Sequence, residues 1–61
     1  LGDVYKRQII DSLKSVDDKQ INQIVVDTNM PYSKVSSLLF ELEMKGIVRV
    51  LGGARYRLVR G

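Results

Sequence analysis

No cysteine and no histidine occur in this 61-residue chain. The first absence excludes a disulfide staple and any zinc site of the thiolate kind. The second removes the commonest metal ligand and the usual general base. No apolar run approaches the roughly 18 residues of a membrane span, and no secretory leader is read at the start. A chain of this size is one domain near the lower limit for folding alone. Its hydrophobic fraction of 44% allows one modest core and no deep substrate cleft. Stability has to come from packing, and the cysteine-free composition suits a cytoplasmic setting.

Acid is missing from one end of the chain. Residues 1–44 carry five basic and seven acidic side chains, whereas residues 45–61 carry Lys45, Arg49, Arg55, Arg57 and Arg60 and no acid. The formal charge of +3 is therefore a property of the C-terminal segment. A concentrated basic patch on a mildly acidic domain points to an anionic partner, nucleic acid first.

What is present begins with LGDVYKRQ, residues 1–8. This segment reads either as a foreign adaptor scar or as the start of the first helix; the domain proper is read over 9–61. Ile9, Ile10, Leu13 and Val16 form an apolar stripe with helical spacing, followed by a polar turn over 15–19. Ile21, Ile24, Val25 and Thr28 repeat the spacing and predict a second helix from about Lys19 to Thr28. Asn29 stands where a helix leaves through a left-handed residue, and Pro31 prevents continuation. A third helix opens at Tyr32 or Ser33, buries Val35, Leu38, Leu39 and Leu42, and stops at Gly46. Two β-rich runs, 47–51 and 54–59, flank Gly52-Gly53 and predict a tight hairpin. Its arginines interleave with apolar residues, so one face is expected to be basic and Tyr56 to point inward.

Helix, helix, turn, helix and basic hairpin is the winged helix-turn-helix plan: mostly α, three helices plus a two-stranded wing. On the third helix Ser33, Ser37, Phe40 and Met44 lie opposite the buried stripe. The serines near its start suit phosphates or base edges. The helix has no arginine, however, and Lys34 and Lys45 are balanced by Glu41 and Glu43. Outward Phe40 and Met44 fit a protein surface better than a groove lined with phosphates. No catalytic grouping is found. Asp17 and Asp18 lie in a polar turn, and Gly52-Gly53 is followed by no helix and so cradles no phosphate. No enzyme activity, metal or cofactor is expected.

The run from Ile21 to Tyr56 resembles the C-terminal winged-helix domain of the bacterial DNA-processing protein A family, also called DprA or Smf. Its most specific part is LLFELEMKGIVRV, Leu38 to Val50, followed by Gly52, Gly53 and Tyr56. The resemblance implies a role in natural transformation and recombination, where such proteins bind incoming single-stranded DNA and help load the RecA recombinase. It also implies that the main DNA site lies in a separate Rossmann-like domain, with the winged helix an accessory part credited with DNA contact or self-association.

Three functions are thus expected, in order. The first is weak, salt-sensitive DNA binding, to single or double strands, by about three or four phosphate contacts drawn from Arg49, Arg55, Arg57 and Arg60 with Lys34, Lys45, Ser33 and Ser37. The second is a protein-interaction or self-association module anchored by Phe40 and Met44. The third is the DNA-binding domain of a transcription regulator, with Ser33, Ser36 and Ser37 reading bases.

Overall fold

A computed structural model describes residues 2–60. Its elements are α1 (Gly2–Leu13), β1 (Lys19–Gln20), α2 (Ile21–Thr28), α3 (Tyr32–Met44), β2 (Val48–Leu51) and β3 (Arg55–Leu58). The three strands form one antiparallel sheet in the order β1-β3-β2. This is the three-helix, winged arrangement expected from the sequence.

The helical stripes meet in a single core. Ile9 and Leu13 from α1, Ile21 and Ile24 from α2, and Val35, Leu38, Leu39 and Leu42 from α3 are all buried, with Val48 of β2 closing the cluster. Met30, between α2 and α3, is buried as well. Ile10, Val16, Val25, Tyr56 and Leu58 pack around this cluster half-buried.

Two expectations need correcting. The second helix starts at Ile21 rather than Lys19, because Lys19 and Gln20 extend as β1 and pair with Tyr56 and Arg55 of β3. The Ile21 N–H then donates to the Ala54 carbonyl at 3.0 Å, fixing the helix start to the wing. The hairpin loop is also longer than the Gly-Gly pair. Leu51 pairs with Arg55, so Gly52, Gly53 and Ala54 all lie in the turn, the last two at φ +78° and +57°. The first helix, for its part, extends back to Gly2, so residues 2–8 are helical.

Both left-handed exits expected of α2 and α3 are present. Asn29 ends α2 at φ +56° and donates to the Val25 carbonyl at 2.9 Å. Past α3, Gly46 lies at φ +77°; its N–H reaches the Glu43 carbonyl at 2.9 Å and the Ile47 N–H reaches the Leu42 carbonyl at 2.9 Å. These paired bonds are a Schellman closure, which uses up carbonyls that the helix end leaves without partners. A Cβ at Gly46 would meet nothing within 4 Å, so only the backbone conformation opposes a side chain there. Gly46→Ala is expected to cost about 1 kcal/mol, measured as a lower denaturant midpoint with an unchanged slope.

Lys19 ties the helices together at the sheet edge. Its ammonium donates to the Ser12 carbonyl at 2.6 Å and to the Asp27 carboxylate. That second bond, helped by Gln23, holds the Asp27 carboxyl below its ordinary range. This contribution to stability is present above the ordinary carboxylate pKa and is lost as pH falls through the lowered one.

Candidate nucleic-acid interface

Alternation along β2 and β3 sorts the wing into two faces. Val48 pairs with Leu58 and Val50 with Tyr56 on the inner face, from which Val48, Leu58 and Tyr56 pack on the helices while Val50 stays exposed. Arg49 pairs with Arg57 and Leu51 with Arg55 on the outer face. Tyr56 is half-buried as expected. Burial raises the pKa of its phenol, with Glu43 and Tyr32 adding to the shift, so it stays protonated.

The five basic residues of the C-terminal segment do different jobs. Arg55 donates Nε to the Gly52 carbonyl at 2.9 Å and pairs with Asp18 at 3.2 Å, bracing the turn against the loop before β1. Arg60 turns back to the end of α1. One guanidinium nitrogen meets the carbonyls of Leu13, Lys14 and Val16 at 2.9, 3.1 and 2.9 Å. The last carbonyls of a helix lack intrahelical partners and carry the negative end of its dipole, so a cation is favoured there. This cap comes from 47 residues away in sequence, and no local spacing announces it.

Arg49 and Arg57 differ from both. They stand directly opposite each other across the ladder, both exposed. Among the described residues neither enters an ion pair or a side-chain hydrogen bond. Opposed like charges destabilise a sheet, so this pair costs stability that a bound anion would return. With Arg60 they line a shallow depression of about 270 Å³. Lys45 lies apart from them, past the end of α3, on a groove it shares with α1.

The outer face of α3 has another character. Ser33, Ser37, Phe40 and Met44 are exposed, the last two at 62% and 72%, and Ser36 is half-buried. Lys34 sits 3.7 Å from the centre of the Tyr5 ring, a cation–π contact that ties it to α1. Glu41 pairs with Lys6 at 3.7 Å. The helix that would read bases in a sequence-specific regulator is thus uncharged along its exposed stripe. Among the described residues no cluster of acidic side chains has metal-binding geometry, and no helix is long and apolar enough to cross a membrane.

Residues 6–54 match the family model described as the DprA winged helix domain. The match begins well before Ile21, the first residue of the run whose sequence resembles that family; it takes in α1 from Lys6 onward and ends at Ala54, just before β3. No curated protein and no solved structure matches the chain.

Proposed function

The chain belongs to the DprA winged helix domain family, and on that footing we propose that it is the accessory DNA-binding module of a DprA-type DNA-processing protein. Its role would be to add weak, sequence-independent phosphate contacts to single-stranded DNA handled in natural transformation and recombination. Loading of a RecA-like recombinase would belong to the longer protein in a bacterial cytoplasm, and the module itself would catalyse nothing. The carrying observation is the Arg49–Arg57 pair, two exposed and mutually repelling cations in register on the outer face of the wing. The test is a DNA-binding titration of the Arg49→Ala/Arg57→Ala variant against the unmodified chain.

A second reading draws on Phe40 and Met44, the most exposed large apolar residues of α3. Side chains of this kind anchor protein interfaces. If the domain self-associates through them, Phe40→Ser dissociates the complex in sedimentation while DNA affinity stays unchanged. A monomer at all concentrations, with or without the substitution, removes self-association.

A further inference from the structure

A second cationic hollow lies beside the wing. Arg7, Lys14 and Lys45 rim a groove of about 440 Å³ between α1 and the end of α3, with Ile10, Leu42 and Ile47 between them. Among the described residues Asp11 is the one acid lining it, and it pairs with Lys14 at 3.0 Å.

Two links join this groove to the depression on the wing. Ile47 lines the groove, and its carbonyl accepts the N–H of Val59 at 2.9 Å; Val59 lines the wing depression. Arg60, also in the wing depression, donates to the Lys14 carbonyl at 3.1 Å, and Lys14 stands on the groove. The two hollows are therefore neighbours around the open end of the hairpin.

We propose that they form one track for a single-stranded nucleic-acid backbone, running from Arg49 and Arg57 past Arg60 into the groove at Lys14, Lys45 and Arg7. This inference rests on the single-strand DNA-binding reading above and adds to it the path of the strand and the groove residues that hold it. Three observations carry it. The track gathers Arg49, Arg57, Lys14, Lys45 and Arg7, whereas the stripe Ser33, Ser37, Phe40 and Met44 carries no cation and exposed Lys34 beside it is held over the Tyr5 ring. The path bends: Arg49 and Arg57 lie on the outer face of the sheet, while α1 and α3 pack against its inner face. The backbone trace is only 27 Å in its longest extent. A duplex, stiff over about 50 nm, follows such a bend only at an elastic cost that a flexible single strand does not meet. Finally, apolar side chains set between cations suit unpaired nucleotides, whose bases pack on carbon while their phosphates meet charge. The groove offers no aromatic platform, so the track holds the strand without reading it.

The test is a titration of labelled oligothymidylate and of a labelled duplex, at several salt concentrations, with melting curves confirming that each variant is folded. Lys14→Ala/Lys45→Ala is expected to weaken oligothymidylate binding about tenfold at low salt and to reduce the salt slope by roughly 1.4, the value for two single-strand contacts. Asp11→Asn, which removes an acid from the groove, is expected to strengthen binding by about twofold, a gain that structural damage does not mimic. The track is overturned if neither substitution changes the affinity while Arg49→Ala/Arg57→Ala weakens it; the DNA-binding reading then stands alone. Tighter binding of duplex than of oligothymidylate also overturns it. So does a loss confined to Ser33→Ala/Ser37→Ala, which would return the strand to α3. If Lys14→Ala/Lys45→Ala does not fold, the response of Asp11→Asn decides. Absence of binding by the unmodified chain at low salt sinks both the track and the reading beneath it.

Discussion

Leu39→Ala is expected to leave the domain largely unfolded at physiological temperature. Leu39 is fully buried in the middle of α3, among the largest side chains of the core. Truncating such a leucine removes its transfer free energy and leaves a cavity, together about 2–5 kcal/mol. A domain of this size has roughly 3–9 kcal/mol in total, with neither disulfide nor metal cluster among the described residues to absorb the loss. The melting temperature should fall by on the order of 20 °C. The next residue supplies the contrast. Phe40 is 62% exposed, so Phe40→Ala should shift stability by no more than about 0.5 kcal/mol. Thermal melts of the two variants side by side check which face of α3 is inward. Equal destabilisation of the two would contradict the packing described.

Arg49→Ala/Arg57→Ala is expected to weaken DNA binding about tenfold at low salt, by the same factor for every DNA sequence. The salt slope should shrink by the amount that two phosphate-binding cations contribute. The same variant should be no less stable than the unmodified chain, because it relieves like charges placed opposite each other in the ladder. Lower affinity with unchanged or higher melting temperature is the signature of residues retained for binding. Arg55→Ala and Arg60→Ala should behave in the reverse sense. Arg55 braces the turn against Asp18, and Arg60 caps the end of α1. Their removal should lower the melting temperature more than the affinity. Denaturation and fluorescence anisotropy on the same four proteins separate the two groups.

The fold was legible wherever burial imposes a period. The stripe Val35, Leu38, Leu39 and Leu42 is read from spacing alone and is buried as read. Asn29 and Gly46 are chemically marked for left-handed backbone, and both adopt it. Strand β1 was not legible, since two residues, Lys19 and Gln20, are too few to alternate; only the edge of β3 makes them a strand. Ala54 gave no signal either, because nothing in alanine announces a positive φ. The candidate site divides in the same way. A basic C-terminal segment is visible as composition, but composition treats Arg49, Arg55, Arg57 and Arg60 alike. What separates them is tertiary: Asp18 reaches Arg55 across 37 residues, and the end of α1 takes up Arg60. Nothing in the sequence singles out Lys14, yet it stands where the α1 groove and the wing meet.

The central claim is that this domain holds nucleic acid by phosphate contact through the outer face of its wing. The most direct test is the affinity of the unmodified chain for labelled single-stranded and duplex DNA as salt is raised. Weak binding to single strands is expected, its logarithm falling linearly with the logarithm of salt concentration, with a slope of roughly −1.4 for the two wing contacts and steeper where the cations of the α1 groove add to them. Binding that is flat with salt, or no binding even at the lowest salt, would contradict it.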